Sequence, residues 1–352
     1  MAGQLKSIPD RAPGGAGRAE AAAAWRRRAT FAVLVAGTIA ALATLLVITL
    51  SRGGFGILDG VLTACFLVTL PWTVIGFWNA VIGLALMRLS ADPVRAVCPV
   101  AVDPDDEAPI SGSTAILMCV RNEAAGTVSR NLDVMIAGLA AAGLSQRFHV
   151  YILSDSSWEE IIATEAPVFG RLQERWRGVL AVTYRRRRDN PGFKAGNIRD
   201  FCERWGHRHD YALVLDADSL MSAPAILRLV RTMERNPRLG ILQSLMVGMP
   251  TVSPFARVFQ FGMRLGMQSY TLGSAWWQGD CGPYWGHNAL LRLRPFVEHC
   301  HLPQLPGRPP LGGWILSHDQ VEAVLMRRAG YQVRVLPGEG GSWEENPPTL
   351  LE

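Results

Sequence analysis

The hydrophobic pattern divides the chain into two unlike parts. Residues 29–50 carry no charge, and residues 57–87 carry only Asp59 near their start. At about 1.5 Å per residue, a helix over the first run is roughly 30 Å long, the thickness of a bilayer core. The second run is long enough to span with tilt, and Pro71-Trp72 predicts a kink in it. The short connection over 51–56 makes the two runs a helical hairpin. The first run is too long for a signal-peptide core and lacks a convincing cleavage site.

Beyond residue 112 the pattern changes to short apolar strands alternating with helices. Strands are predicted over 115–120, 149–154, 180–184, 212–215, 240–245 and 332–336. Helices are predicted over 127–142, 158–175, 194–205, 223–236 and 318–329. Continuous apolar strands separated by helices predict an α/β fold, a mostly parallel sheet covered on both faces. Residues 88–112, with Pro93, Pro99, Pro104 and Pro109 and an acidic run over 103–107, form a linker between the hairpin and a domain over 113–352.

Charge sharpens this division. The net charge is +5, but residues 1–30 hold six basic side chains against two acidic ones, a net of +4. A general nucleic-acid surface is therefore not indicated, and the basic tail over 1–28 suits an anionic lipid face. Its Ala, Gly and Arg content predicts an unstructured tail to about Ala24. Arg26, Arg27 and Arg28 precede the first span, Arg88 and Arg95 follow the second, and the connecting loop has only Arg52. That asymmetry puts both ends on the cytoplasmic side. The six cysteines show no C-x-x-C spacing and read as reduced thiols.

Ligands of such sheets bind beyond the carboxyl ends of the strands, and the acidic signals lie there. Arg121-Asn122-Glu123 follows the first strand, Asp155 the second, and Asp216-Ala217-Asp218 the fourth. On an extended backbone Asp216 and Asp218 point to the same side. Carboxylates at the ends of buried strands are costly unless compensated. The pair suits Mg2+ or Mn2+ carrying a nucleotide diphosphate, because such ions take hard oxygen ligands and few protein contacts. Alone, the pair equally fits a helix cap. Gly192 to Asn197, with Lys194, is a glycine-containing turn entering a helix, where backbone N–H groups and a lysine charge can hold a diphosphate. An ordinary helix start with a solvated lysine is the simpler alternative. The run Arg185 to Arg188 reads first as a solvated edge.

Trp276, Trp277, Tyr284, Trp285 and Trp314 gather aromatic rings that suit sugar faces, with core or membrane-interface packing as the competing reading. Trp285-Gly286-His287-Asn288 adds polar groups able to orient an acceptor. Ser317-His318-Asp319 reads as a capped helix start, or as the site of a general base, Asp319. No G-x-G-x-x-G follows a strand and no G-x-x-x-x-G-K-[ST] occurs, which removes dinucleotide-oxidoreductase and P-loop readings.

Taken in order, Val120-Arg121-Asn122-Glu123, Asp155, Lys194-Ala195-Gly196-Asn197, Asp216-Ala217-Asp218 and Asp319 resemble the processive family-2 glycosyltransferases, the cellulose-synthase-like group. Tyr184 to Arg188, Gly192 to Asn197, Trp285 to Ala289, Ser317 to Asp319 and Met326 to Gly330 resemble, more narrowly, the glucan biosynthesis glucosyltransferase H family of Gram-negative inner membranes. The resemblance covers about residues 110–352. It implies a GT-A fold and inverting transfer of glucose from UDP-glucose, with a divalent cation, to a β-1,2-linked glucan exported to the periplasm. It further implies donor contacts through Asp155, Lys194, Asn197, Asp216 and Asp218, with the metal on Asp216 and Asp218. Trp285, Gly286, His287 and Asn288 would face the acceptor, and Asp319 would be the base. Inner-membrane lipid and periplasmic glucan-processing proteins are the implied partners. The family's Q-x-x-R-W-like or R-R-W-like motif and further membrane helices are expected after the point where this chain ends, so the chain is expected to be an amino-terminal portion. A polyprenyl-phosphate sugar transferase and a non-catalytic nucleotide-sugar-binding scaffold are the alternatives.

The arginine asymmetry generates a topological prediction. A cysteine placed at position 54 will react with a membrane-impermeant thiol reagent in intact cells, whereas one placed in the tail before Arg26 will react only after lysis. The reverse labelling pattern would invert the assignment.

Overall fold

The computed structural model describes residues 15–308, 311–338, 340–347 and 349. The chain divides into two compact units. Among the described residues, one comprises 15–99 with Leu265–Gly279, and the other comprises Val100–Arg264 with the described residues from Asp280 onward.

The helical unit begins with α1 (Gly15–Leu50) and α2 (Ile57–Leu89), followed by the short α3 (Pro93–Val97). Both long helices contain stretches long and apolar enough to cross a membrane, over Ala22–Gly53 and Ile57–Leu89. The expected unstructured tail fails from Gly15 onward, because the alanine-rich run is strongly helix-forming and extends α1 toward the amino terminus. Residues 1–14 of that tail lie outside the described residues. Pro71 sits inside α2 without ending it. The indole N–H of Trp78 donates to Thr38 Oγ1 at 3.0 Å, joining the two helices.

In the second unit, β1 (Thr114–Val120) is buried at every position, as an apolar run in the middle of a parallel sheet should be. It is followed by α4 (Ala125–Ala141), β2 (Phe148–Ser154), α5 (Glu159–Arg175), β3 (Ala181–Arg186), α6 (Phe193–Trp205) and β4 (Tyr211–Asp216). Then come β5 (Leu220–Met221), α7 (Ala223–Arg235), β6 (Leu239–Ser244), β7 (Val247–Gly248) and α8 (Pro254–Gln278). The last elements are β8 (Ala289–Arg292), α9 (Leu293–His299), α10 (His318–Arg328), β9 (Gln332–Leu336) and β10 (Ser342–Glu344).

Seven strands form one sheet in the order β3-β2-β1-β4-β8-β6-β9. All neighbours are parallel except β8, which runs antiparallel to both β4 and β6. A second, three-stranded sheet has the order β5-β10-β7. This is the GT-A arrangement, a mixed, mostly parallel sheet covered by helices. The six predicted strands and five predicted helices all form, whereas β8, the small sheet, α8 and α9 have no counterpart in the pattern reading. Leu265–Gly279, the carboxyl-terminal half of α8, belongs to the helical unit, although the domain was expected to run unbroken over 113–352. Small residues allow this packing: a Cβ on Gly83 would lie 1.7 Å from Ser269 O, and one on Gly273 would lie 1.9 Å from Asn79 O.

At the amino-terminal ends of the strands, His149 stacks on Tyr151 at 4.0 Å, and Tyr151 Oη meets His209 Nε2 at 2.9 Å. Burial, each ring's neighbouring histidines and Arg208 push both imidazoles down to about 4. Below about pH 6.5 the unfolded chain binds protons that the fold refuses, so stability is lost as pH falls toward 4. Melting curves of the wild type and His209→Gln between pH 7.5 and 4.5 will show the shallower pH slope in the variant.

Candidate functional site

The site grows from the carboxyl ends of β1, β2 and β4. Asp155 leaves the end of β2 with its N–H bonded to Val120 O at 2.9 Å, which fixes the two loops together. Its buried carboxylate is gripped by Arg187, whose Nε and Nη2 donate at 2.8 and 2.6 Å. The same guanidinium donates to Phe193 O at 3.0 Å, and Asn190 Nδ2 donates to Asp155 O at 2.7 Å. The arginine run is thus no plain solvated edge. Arg185 pairs with Asp200 at 2.8 Å, and both Arg185 and Arg187 are largely buried. Beneath them, Glu165 of α5 accepts from Ser154 Oγ, Ser156 Oγ and Tyr184 Oη at 2.8, 2.6 and 2.8 Å.

Lys194 stands in the first turn of α6, after a left-handed Gly192 at φ 73°, and its ammonium pairs with Asp216 at the end of β4. Gly196 permits the approach, since a Cβ there would lie 1.8 Å from Pro191 O. Asn197 does not meet the expectation of a donor contact. It is buried, and its amide donates to Leu153 O at 2.9 Å while its carbonyl oxygen accepts from Arg185 Nη1 at 2.7 Å. It supports the site from behind.

The alternation argument for Asp216 and Asp218 also needs correction. The strand stops at Asp216, where Ser219 N–H closes a turn onto Asp216 O at 3.0 Å, so Asp218 lies in a turn. The two carboxylates nevertheless remain electrostatic neighbours. Burial, then Asp216, raises the Asp218 carboxyl above its ordinary range. Burial likewise raises Glu123, which accepts from Arg121 N–H, with Asp216 and Asp218 adding to the shift. Glu344 of β10 is raised by burial, relieved in part by His287 and raised further by Asp218 and Asp216. Asp216, Asp218, Glu123 and Glu344 thus repel one another while Lys194 pairs with Asp216 alone, a hard-oxygen set that fits a divalent cation. No three His, Cys, Asp or Glu among the described residues gather at metal-binding distances. The residues present fit an ion that takes one or two protein ligands, Asp218 with Asp216, and completes its shell from diphosphate and water.

The loop before β8 is held by Gln243 of β6. Its Oε1 accepts from Trp285 N–H at 2.8 Å and its Nε2 donates to His287 O at 2.9 Å. Gly286 adopts φ 84°, and a Cβ on it would lie 3.5 Å from Asp319 Cβ, so this loop and the start of α10 are in contact. Ser317 Oγ donates to Asp319 Oδ1 at 3.0 Å, and Gln320 Nε2 donates to Tyr284 O at 2.9 Å. His287 Nδ1 lies 3.8 Å from Glu344 Oε2. Asn288 cannot touch an acceptor: it is fully buried, accepts from Ser219 Oγ at 2.6 Å and donates to Ser342 Oγ at 2.9 Å. It bolts the acidic turn to β10.

Trp276 and Trp277 are not at this site. Trp277 stacks on Phe31 at 4.7 Å and donates to Asn79 Oδ1 at 3.0 Å, while Arg27 lies over Trp276 at 5.7 Å. Helix packing wins over the sugar-facing reading for both. Trp314 lies over the turn at Gly192. Sequence reasoning passed over Glu344, Gln243 and Glu165. An S-W-E-E run with no helical context gives no signal, and a lone Gln in a strand and a lone Glu in a helix give none either.

The Arg187–Asp155 pair generates a stability prediction. Removing one partner of a buried ion pair strands the other charge, at a cost of about 3–5 kcal/mol. Arg187→Ala will therefore melt well below the wild type, and Arg187→Ala with Asp155→Asn will recover part of that loss. Equal melting of the single and double variants would show that the pair is not coupled.

Residues 211–352 match the profile described as Glycosyl transferase family group 2. The chain is 39% identical over 323 residues to a glucans biosynthesis glucosyltransferase H of Xanthomonas campestris pv. campestris, covering 91% of this chain and 49% of that protein. It is 39% identical over 331 residues to a protein of the same name from Ralstonia nicotianae, covering 93% and 38%. The chain thus spans about half the length or less of these curated relatives. Among solved structures, a mannosyltransferase from Pyrobaculum calidifontis in complex with GDP-Man and Mn2+ aligns at 16% identity and a TM-score of 0.44, covering 76% of this chain and 69% of that one. At the identity to its curated relatives, sustained over nine-tenths of its own length, the chain belongs to the glucans biosynthesis glucosyltransferase H family of group 2 glycosyl transferases.

Proposed function

We infer that the chain carries the donor site and the catalytic base of a membrane-bound inverting glucosyltransferase, which moves glucose from UDP-glucose onto a growing β-1,2-linked glucan. The observation that carries this reading is the convergence of Lys194, Asp216, Asp218 and Glu344 beyond the strand ends, with Asp319 against the neighbouring Gly286 loop. Four relatives with that printed name in Xanthomonas and Ralstonia support the sugar and the polymer.

In this reading Lys194 and the N–H groups at the start of α6 bind the diphosphate, and Asp155, held rigid by Arg187, faces the uracil. Asp218 and Asp216 would hold a divalent cation, which would supply positive charge toward the diphosphate leaving group. Asp319 takes the proton of the acceptor hydroxyl as that oxygen attacks the anomeric carbon from the side opposite the diphosphate, so no second acid is needed. Ser317 keeps the carboxylate oriented through its 3.0 Å donation. Trp285, Gly286 and His287 border the acceptor, and Gln243 holds their backbone still. The two long apolar helices and the arginine asymmetry around them support a protein held in the bacterial inner membrane, with the sheet domain on the cytoplasmic side. Glucan leaves toward the periplasm and its processing proteins.

Two variants separate donor binding from base catalysis. Asp218→Asn will weaken UDP binding and abolish its dependence on Mg2+ or Mn2+ in calorimetry. Asp319→Asn, in the full-length family context, will lower transfer by about 10²–10⁴-fold with UDP affinity nearly unchanged. Metal-independent UDP binding by wild type would remove the donor-site reading, and full turnover by Asp319→Asn would reduce that residue to a helix cap.

A further inference from the structure

The run Arg185 to Arg188 is only half consumed by the site described above. Arg185 and Arg187 are spent on Asp200, Asn197 and Asp155. Arg186 makes only a 3.5 Å approach to Ser156 O, and Arg188 is exposed, with no hydrogen bond or ion pair among the described residues. With Arg199, Arg204 and Trp314, all four line a cleft of about 530 Å³ along the outer side of α6. The same helix turns Asn197, Ile198 and Phe201 inward and Lys194 toward Asp216, so the cleft and the acidic strand ends lie against different faces of it.

Charge and shape together name the class of ligand. The six arginines share the cleft with Asp189, Asp200 and Glu203. Asp155, which grips Arg187 from the far side, is a fourth acid, and two positive charges still remain. Guanidinium forks match phosphate oxygens in pairs. Trp314 bounds the cleft and also bounds a neighbouring cavity of about 90 Å³, whose wall includes Phe296, Leu302 and Ile315. That is room for about six waters or for one compact apolar group. The indole is held in place: Leu305 and Gly313 exchange backbone bonds of 2.8 and 2.9 Å just before it, and its ring lies over Gly192, where a Cβ would stand 3.6 Å from Cε3. A bare inorganic anion would meet the arginines and leave the ring and the cavity idle. An organic phosphate with a small aromatic or apolar end engages both.

We propose that this cleft is an effector site for a small organic phosphate, its phosphate on Arg186, Arg188 and Arg204 and its apolar end against Trp314. Arg187 links the cleft to the donor side, because one guanidinium both lines the cleft and grips Asp155. A phosphate in the cleft competes with Asp155 for that guanidinium, so its binding weakens the binding of nucleotide, and nucleotide weakens the effector by the same factor. The effector role rests on the proposed donor site, whereas the binding site itself does not.

The test is calorimetry of the whole chain in phosphatidylcholine nanodiscs, with phenyl phosphate, inorganic phosphate and UDP as probes. Phenyl phosphate should bind several-fold more tightly than inorganic phosphate. Arg188→Gln with Arg204→Gln, both at exposed positions, should weaken both by tenfold or more without lowering the melting temperature. Trp314→Ala should bring phenyl phosphate down to the affinity of inorganic phosphate. Lys194→Ala should leave phenyl phosphate binding in place while UDP binding falls. Saturating phenyl phosphate should raise the Kd of UDP several-fold in the wild type and not in the double arginine variant. Loss of phenyl phosphate binding in Lys194→Ala places the probe in the donor site and overturns the proposal, as does undiminished binding in the double arginine variant. Equal affinity for the two phosphates removes the part assigned to Trp314. A UDP affinity indifferent to phenyl phosphate overturns the effector role. Failure of UDP to bind the wild type strikes the donor site instead, and phenyl phosphate binding that depends on Arg188 and Arg204 would still stand.

Discussion

The structure turns on how negative charge is held at the end of a parallel sheet. Bringing carboxylates to buried strand ends is unfavourable unless each is matched, because a low-dielectric surround penalises the charged form. Two carboxylates are matched by the protein itself: Asp155 by Arg187 and Asp216 by Lys194. Among the described residues, Asp218, Glu123 and Glu344 have no lysine or arginine so paired with them, only His287 partly relieving Glu344 and a backbone N–H meeting Glu123, and burial raises all three. This set of mutually repelling carboxylates is the chemistry that the proposed donor site uses. In the proposed reading, a divalent ion arriving with a nucleotide diphosphate would relieve that repulsion and bring its own anionic ligand.

This division explains why the loops are so heavily cross-bonded. Glu165 collects three hydroxyl donors below the Asp155 loop, and Gln243 spans Trp285 and His287 with both ends of its amide. Asn122, Phe193 and Asn288 adopt positive φ without being glycine. Phe193, a bulky ring, is the least expected of them there. Such conformations persist when surrounding bonds over-determine them; Asn122 and Asn288 lie in loops that border the site, and Phe193 opens α6.

Much of this was legible in the chain. The continuous apolar runs of β1, β2 and β4 announce a parallel sheet, and acidic residues placed just after them announce its binding edge. Period and position suffice where one face decides the outcome. They fail where a tertiary partner decides. Nothing local tells that Asn197 and Asn288 would be buried and spent on Arg185, Leu153, Ser219 and Ser342. Two adjacent tryptophans look alike whether they meet a sugar or a helix, and only the approach of Asn79 and Phe31 separates the cases. The strand β8 is four residues long and follows a glycine-rich loop, so its period is too short to read.

Asn288 shows how the donor and acceptor sides become one object. Through Ser219 it fixes the turn that carries Asp218, through Ser244 the end of β6, and through Ser342 the strand that carries Glu344. Four segments distant in sequence therefore meet at one buried residue, two through its side-chain amide and one through its backbone carbonyl. Buried polar networks of this kind are rigid when complete and costly when broken. A change in the acceptor loop is for that reason also a change in the charge set around Asp218, and substitutions at the two places should not act additively. In the proposed reading, the geometry that would set one carboxylate against an acceptor and another against a cation is thus held by a buried neutral residue that would touch neither.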